Sequence, residues 1–251
     1  MLPELRLDWF NNHNAKLRIA VTDTNGRTSL NETAVVWSIP VEELATRMPG
    51  NPLLIMMHGY GSHEGDLMSL AALLPESIIV VSLRAPHRAP YPIESGFDWF
   101  SNGDPANPGI NAANSAAEAV VQWLDRMLAT HGTPSRIGLL GFSQGGAMAV
   151  HLLRYAPERF TAAVNLSGFV VAAQVQGDPV LAEQRPPIFW GRDQADQVIP
   201  AEAVQRTAEW LAVYSTATIE LYPGTQHGIS REEISDVSAF LSATLVNSNP
   251  L

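Results

Sequence analysis

Cysteine is absent from this chain of 251 residues. Without cysteine the chain has no disulfide framework, no cysteine zinc site and no thiol nucleophile. A protein without disulfides fits a reducing compartment, so we expect a cytoplasmic location. Any nucleophile that this chain uses must come from another residue type.

Basic clusters and long apolar runs are also lacking. The formal net charge is −10, and no block is rich in lysine or arginine. Nucleic-acid binding needs clustered basic residues opposite the phosphates, so we expect no nucleic-acid partner. No apolar run approaches the ~18 residues of a membrane helix. Glu4, Arg6 and Asp8 interrupt the stretch where a signal peptide would have its apolar core, so we expect a soluble protein.

From residue 53 onward, strand-like apolar segments alternate with helical ones. The predicted strands are 53–57, 78–83, 136–140, 161–166, 187–190 and 218–222, and the predicted helices are 67–74, 112–131, 147–153, 201–214 and 231–246. Two stretches, 91–110 and the roughly twenty residues before 187, are predicted loops. This alternation predicts an α/β fold, a mostly parallel twisted sheet with helices on both faces.

The first fifty residues differ from the rest. Segments 16–22 and 33–39 are rich in Val, Ile, Thr and Trp, and Asn25-Gly26 lies between them as a strong turn signal. They predict an antiparallel hairpin at the edge of the sheet. We expect one domain over residues 1–251, in which 1–50 extend a core at 53–246. An exposed hairpin is compatible with a homodimer.

The run Gly141-Phe142-Ser143-Gln144-Gly145 has the form G-x-S-x-G between a predicted strand and a predicted helix. In that context the pattern indicates a nucleophile elbow, a sharp turn that holds the serine oxygen above the sheet edge. A plain glycine-rich turn is the alternative. The pattern therefore makes Ser143 the candidate nucleophile.

A serine hydroxyl needs a base to take its proton, and histidine suits that task near neutral pH. In this fold type the expected chain order is serine, then carboxylate, then histidine. His227 lies in a predicted loop between the last strand and the last helix, which makes it the candidate base. Asp193 and Asp196 compete as the acid, and the Val-Ile-Pro after Asp196 favours that residue. The other aspartate would be a turn-former or a helix N-cap.

An oxyanion needs preorganised hydrogen-bond donors. The residue after the nucleophile, Gln144, should supply one backbone N–H, and the glycine-rich loop after the first core strand should supply the other from Tyr60. His58 is expected to hold that loop. The group His58, His63, Glu64 and Asp66 does not match an H-E-x-x-H helix and lies in a predicted loop, so we expect no metal.

Two aromatic residues, Trp99 and Phe100, lie in a loop of the kind that lines pockets. They could form a wall for the acyl group, and core packing is the alternative. His13 and His87 have no recognisable partner and are expected at the surface.

Together these segments resemble the phospholipase/carboxylesterase family, the acyl-protein thioesterase-like branch of the α/β-hydrolases. The ordered matches include H-G-Y-G at 58–61, F-D-W-F at 97–100, G-F-S-Q-G-G at 141–146, D-Q-V-I-P at 196–200 and H-G-I-S at 227–230. The resemblance implies Ser143, Asp196 and His227 as a catalytic triad, with Tyr60 and Gln144 as oxyanion donors. It also implies an α/β-hydrolase fold, and it supports Asp196 over Asp193.

These features predict a serine carboxylic-ester hydrolase that works through an acyl-enzyme and needs no cofactor. Because the sequence has no large helical cap insertion, short- to medium-chain acyl esters are the expected small-molecule substrates. A thioesterase, a lysophospholipase or an acyl transferase would use the same triad. A non-catalytic binding protein on a hydrolase scaffold is the remaining alternative.

Overall fold

The computed structural model describes residues 27–90, 93, 95–100, 103–104 and 107–247. Its strands are β1 (Val36–Trp37), β2 (Leu53–Met57), β3 (Ile79–Leu83), β4 (His87–Arg88), β5 (Phe97–Asp98), β6 (Gly103–Asp104), β7 (Asn107–Pro108), β8 (Ile137–Phe142), β9 (Ala162–Leu166), β10 (Pro187–Arg192) and β11 (Thr216–Leu221). Seven of them form one sheet in the order β1-β3-β2-β8-β9-β10-β11. Every pairing in that sheet is parallel except that of β1 with β3. The predicted mostly parallel α/β-hydrolase sheet is confirmed.

Helices cover both faces of the sheet. The α-helices are α1 (Leu44–Arg47), α2 (Ile110–His131), α3 (Gln144–Tyr155), α4 (Asp178–Gln184), α5 (Ala201–Tyr214) and α6 (Arg231–Leu241). Shorter 3-10 helices span Glu32–Ala34, Val41–Glu43, Met68–Leu73 and Pro157–Arg159, and a π-helical turn spans Ser242–Val246. Helices α2, α3 and α5 pack on one core, whereas α6 and the 68–73 turn pack on the other.

Strand β2 is apolar at every position because it is buried on both of its faces. Leu53, Ile55 and Met57 point into the core beneath α2 and α3, and Leu54 and Met56 point into the core beneath α6. All five are fully buried. Because a central parallel strand is covered on both faces, every position must be apolar.

The long helix α2 follows Gly109 and ends before Gly132, whose φ of 91° suits a residue without a Cβ. Its buried side chains recur every three or four residues, as an amphipathic helix on a core requires. These include Ala113, Ala117, Val120, Leu124 and Met127. None of the helices that the structure describes combines the length and hydropathy of a membrane span.

Four local predictions need correction. The stretch before β10 is not all loop, because it contains α4. The predicted helix 67–74 is a 3-10 helix over Met68–Leu73. The predicted loop 91–110 includes the short strands β5, β6 and β7. His87 is not at the surface: it is 4% exposed, because β4 pairs with β5 and opposes His87 to Asp98.

At the N-terminal side, the predicted strand 33–39 narrows to β1, which lies antiparallel to β3 at one edge of the sheet. The predicted partner strand 16–22, the Asn25-Gly26 turn and His13 fall outside the described residues. The hairpin over residues 1–50 therefore stays a prediction.

The parallel strands all end at one edge of the sheet. The segments that follow β2, β8, β10 and β11 carry His58, Ser143, Asp193 and His227 in that order. Carboxyl ends of parallel strands are where open α/β sheets bind their ligands. The topology alone thus gathers the candidate residues at a common rim.

Candidate active site

Ser143 lies at a strained turn between β8 and α3. Its φ of 55° and ψ of −118° are unusual for a residue with a side chain, and its N–H donates to the carbonyl of Leu166 at 2.8 Å. Two glycines permit the turn. A Cβ on Gly141 would lie 2.0 Å from the Gly145 carbonyl oxygen, and a Cβ on Gly145 would lie 2.0 Å from that of Met57. The glycine spacing in the sequence is therefore a steric requirement of the elbow.

Three side chains that are far apart in the chain meet at this turn. The Oγ of Ser143 lies 2.9 Å from Nε2 of His227, and Nδ1 of His227 lies 2.8 Å from Oδ2 of Asp196. A carboxylate can only accept, so Nδ1 carries the proton and Nε2 is left to accept from the serine hydroxyl. This is the hydrogen-bond order of a nucleophile, its general base and an orienting acid.

The acid and the base are held from several sides. The Asp196 side chain is 4% exposed, and its second oxygen accepts from the N–H of Val198 at 2.8 Å. The imidazole of His227 is 18% exposed and lies 5.0 Å from the Phe142 ring, centroid to centroid. The serine and the base thus remain reachable from outside while the acid is shielded from water.

The predicted oxyanion donors belong to two segments next to the serine. Gln144 is the first residue of α3, where a helix N–H has no intrahelical acceptor and the positive end of the helix dipole lies. Tyr60 belongs to the loop after β2, and that loop runs beside the nucleophile, since a Cβ on Gly59 would lie 3.5 Å from that of Ser143. Both predicted segments therefore lie beside the turn that carries Ser143, and the donor roles of their N–H groups stay predictions.

A buried hydrogen-bond network ties these two segments together. The side chain of Gln144 accepts from the N–H of Trp99 at 2.9 Å and donates to Asp98 at 2.8 Å. The indole N–H of Trp99 donates to the carbonyl of His58 at 2.9 Å, and Asp98 also accepts from the N–H of Phe100. The loop 97–100 thereby links the first residue of α3 to the segment that carries Tyr60.

His58 holds the start of that segment, as the sequence predicted. It is fully buried, and its Nε2 accepts from the N–H of Ala85 at 3.1 Å, so its Nδ1–H donates to the carbonyl of Gly59 at 2.7 Å. Burial lowers the pKa of His58 to about 4. The ring is therefore neutral near pH 7 and acts as a fixed link between two backbones.

The predicted acyl wall is not what the structure shows for Trp99 and Phe100. Their exposed fractions are 0% and 2%, and both rings belong to the main core. A ring that no water can reach presents no surface to a ligand in this conformation. The alternative reading, core packing, applies to both, and Trp99 adds its hydrogen bonds to the neighbouring loops.

The residues around His58 have protein partners. Glu64 forms a two-point ion pair with Arg84, and the ring of His63 accepts from the N–H of Gly65 at 3.1 Å. Within the part of the chain that the structure describes, no group of three or more potential metal ligands converges. The expectation of a metal-free site remains a prediction.

Sequence reasoning missed the positions of two polar side chains. Asp98 stands within the aromatic run F-D-W-F, and no local pattern connects it to Gln144, whose side chain donates to it. Asp193 has the turn-forming contact predicted for the second aspartate, because it accepts from the N–H of Ala195, but its contact with another loop was not predicted. It is buried, at 3% exposed, and accepts hydrogen bonds from the loop that carries His227.

Comparison with known proteins identifies the family of this chain. The sequence profile described as Phospholipase/Carboxylesterase matches residues 43–245. The chain belongs to the phospholipase/carboxylesterase family. The family places it among the hydrolases of the esterase and thioesterase type, as the motifs suggested.

The individual relatives compared below have low sequence identity to this chain. Acyl-protein thioesterase 1 of Debaryomyces hansenii is 24% identical over 223 residues, which cover 82% of this chain and 96% of that protein. Among solved structures, esterase PE8 has a TM-score of 0.66 at 24% identity and covers 78% of this chain and 94% of its own. The Bacillus cereus carboxylesterase has a TM-score of 0.67 at 17% identity, with 83% and 93% covered. At these identities the structural matches support the fold.

Proposed function

We propose that this protein is a serine carboxylic-ester hydrolase that acts through an acyl-enzyme. The observation that carries the proposal is the continuous hydrogen-bond chain from the hydroxyl of Ser143 through His227 to Asp196. A chance grouping at a surface would not need a strained serine turn, two glycines with no room for a Cβ and a shielded acid at one point. The same features argue against a purely non-catalytic binding protein.

The reaction follows from these contacts. The Oγ of Ser143 attacks the ester carbonyl carbon while Nε2 of His227 takes its proton. The carbonyl oxygen becomes an oxyanion that accepts from the backbone N–H groups of Gln144 and Tyr60. When the intermediate collapses, the imidazolium gives its proton to the departing alkoxide, so that the alcohol leaves. Water then repeats the sequence on the acyl-enzyme and releases the acid.

Short- to medium-chain acyl groups are the proposed substrates. Between β9 and β10, the described residues contain a single helix, α4, of seven residues. A segment of that size offers little to cover a long acyl chain, which needs an extended apolar channel. Nitrophenyl esters from acetate to palmitate test this point: rates per active site should peak at the short or medium members.

A thioesterase is the second candidate, and the names of the curated relatives favour it. The Debaryomyces hansenii and Kluyveromyces lactis proteins at 24% identity are both called acyl-protein thioesterase 1. The same triad and oxyanion donors would cleave a thioester, with a thiolate as the leaving group. Paired esters and thioesters of equal chain length separate the two by the ratio of kcat/KM.

The decisive experiment replaces Ser143 with alanine. We expect p-nitrophenyl butyrate turnover to fall by about 10⁶-fold, since the nucleophile and its acyl-enzyme are lost together. A fluorophosphonate probe should label the wild-type protein at Ser143 and leave the folded variant unlabelled. Turnover by the variant at the wild-type rate, with an unchanged circular dichroism spectrum, would refute the proposal.

Three further expectations stay predictions from the sequence: one domain over residues 1–251, a homodimer, and a cytoplasmic location without a nucleic-acid partner. Sedimentation equilibrium tests the dimer and cell fractionation tests the location.

A further inference from the structure

The loop that carries the candidate base has an unusual backbone. It runs from Tyr222 to Gly228, and its N–H of Tyr222 is still paired with the carbonyl of Arg192 at 2.9 Å. Beyond that point Gly224 has a φ of 92° and Gln226 a φ of 52°. A residue with a side chain is destabilised in this left-handed region relative to its usual conformation, because its Cβ comes too close to the following carbonyl oxygen. The residue directly before His227 must therefore be held in place by its surroundings.

Asp193 supplies that hold. Its Oδ2 accepts from the N–H of Gly224 and from the N–H of Gln226, each at 2.8 Å, and its Oδ1 accepts from the N–H of Ala195 at 2.9 Å. Gly224 and Gln226, which donate to Oδ2, are the two residues at positive φ in the loop. The hydrogen bonds from Ala195 and Gln226 contribute most to a lowered pKa of the Asp193 carboxyl, so the group is ionised near pH 7.

The same carboxylate also fixes the segment that carries the acid. Asp193 and Asp196 belong to one turn after β10, in which Asp193 caps the N–H of Ala195 and its carbonyl accepts from the N–H of Asp196 at 3.4 Å. Through one side chain, the turn that bears the acid is thus joined to the loop that bears the base. The 2.8 Å contact between Asp196 and His227 lies just beyond this joint.

From this arrangement we propose that Asp193 is a positioning residue that sets the imidazole of His227 against both Ser143 and Asp196. The inference rests on the proposed function, because it assigns a role within that triad. A carboxylate is suited to the task, since its two oxygens accept three backbone N–H groups and donate nothing. An asparagine of the same shape would turn an NH₂ group toward at least one of those donors.

The test is therefore Asp193→Asn, with Gln194→Ala as the matched control. Gln194 is the exposed next residue of the same turn. We expect kcat/KM for p-nitrophenyl butyrate to fall by about 10- to 100-fold in Asp193→Asn, because a displacement near 1 Å costs that much in catalysis. The control variant should stay within about twofold of the wild type.

Active-site labelling distinguishes positioning from folding. At completion, a fluorophosphonate probe counts the folded sites, and its second-order rate reports how well His227 activates the serine. In Asp193→Asn we expect the rate per site to fall in parallel with kcat. A wild-type rate per site, with only the number of sites reduced, would mean that Asp193 serves the fold alone and would overturn the proposal.

A rescue experiment tests the strained residue directly. Glycine adopts positive φ freely, so Gln226→Gly needs less help from the carboxylate. Added to Asp193→Asn, it should recover part of the lost labelling rate, whereas added to Asp196→Asn it should recover none. If the first pair shows no recovery, the proposed link through Gln226 is wrong.

Two more outcomes are separable. If Asp196→Asn keeps the wild-type rate while Asp193→Asn loses it, Asp193 is the acid and not a positioning residue. If the wild-type protein is not labelled at Ser143 at all, the proposed function itself is wrong.

A second variant is available if Asp193→Asn yields no folded protein. Gly224→Ala strains the same loop without a steric contact, since no atom lies within 4 Å of the new Cβ. That variant should label more slowly, and an unchanged rate would overturn the proposal.

Discussion

At Gly145, the first turn of α3 passes over the end of β2 at a distance that leaves no room for a methyl group. The carbonyl oxygen of Met57 would lie 2.0 Å from a Cβ at this position, and that of His58 would lie 2.6 Å away. Both neighbours are backbone atoms, which cannot turn aside as a side chain can. The glycine therefore fixes the distance between the nucleophile and the segment that carries Tyr60.

We predict that Gly145→Ala destabilises the protein by about 3 kcal/mol, at the upper end for overpacking, because backbone must move. It should also reduce kcat by more than the loss of folded protein explains, since the move separates Ser143 from the oxyanion donors. Urea denaturation and labelling per folded site measure the two effects. Gly109→Ala is the control, because a Cβ there meets no atom within 4 Å. Equal stabilities for the two variants would contradict the steric argument.

At the scale of elements, the sequence predicted those whose signals are local. Helix α5 has the predicted bounds because Pro200 precedes it and its apolar residues recur at helical spacing. Helix α4 was missed, since it has only seven residues and begins with Asp178-Pro179, a pair that also starts turns. Helix α4 is stabilised by an ion pair with α3, and a contact between residues so far apart in the chain cannot be predicted from a local pattern.

In the candidate site, too, the residues in local motifs were predictable, whereas the contacts between distant segments were not. Ser143, Asp196 and His227 each stand in a short motif after a strand, so the shared sheet edge could be inferred from strand order alone. The side-chain contacts of Gln144, Asp98 and Asp193 across the site could not, because these hydrogen bonds join segments that are tens of residues apart. The placement of Trp99 failed for a related reason: a loop rich in aromatic residues looks the same in sequence whether its rings face a pocket or the core.

The contact that secures α4 is a buried ion pair with α3. Arg154 donates to both oxygens of Asp178 at 2.8 Å, and its side chain is 1% exposed. The same guanidinium donates to the carbonyls of Val171 and Ala173, so it also holds the segment between β9 and α4. The hydrogen bonds and the charge of Arg154, together with the hydrogen bond from the N–H of Val175, keep the pKa of Asp178 below its ordinary value despite its burial.

We predict that Asp178→Ala lowers the free energy of unfolding by about 3 kcal/mol, because it leaves a buried guanidinium without its counter-ion. The two carbonyl acceptors that remain keep the loss at the lower end of the range for such pairs. Asp125→Ala is the control, since Asp125 pairs with Arg159 at the surface with its side chain 57% exposed. That variant should lose no more than about 1 kcal/mol. Urea denaturation of both proteins checks the difference, and similar losses would contradict the distinction.

At the scale of the whole molecule, stability depends on pH through groups that folding buries. His58 and His151 are fully buried, and burial lowers the pKa of His58 to about 4 and that of His151 to about 3. Each takes a proton in the unfolded chain at a higher pH than in the folded one. Both therefore reduce stability as the pH falls below about 6.5, the ordinary value for histidine.

Glu233 acts in the opposite sense. It lies in the first turn of α6 with no exposed surface, and its Oε1 would be 2.2 Å from a Cβ at Gly191 of β10. Burial raises the pKa of its carboxyl from 4.5 to about 7, and the nearby Asp236 adds to the rise. Between these two values the folded protein holds a proton that the unfolded chain has released. Stability from this group is thus complete below about 4.5 and is lost as the pH rises to about 7.

We predict that Glu233→Gln removes this loss. The shift from 4.5 to about 7 corresponds to about 3 kcal/mol, so the variant should gain up to that amount over the wild type at pH 8 and little at pH 4.5. Because the two histidines titrate in both proteins, the difference between the two unfolding free energies isolates Glu233. Urea denaturation at half-unit steps of pH measures it, with Glu232→Gln on the exposed side of α6 as the matched control. A difference that does not change between pH 4.5 and 8 would show that folding leaves the pKa of Glu233 near its ordinary value.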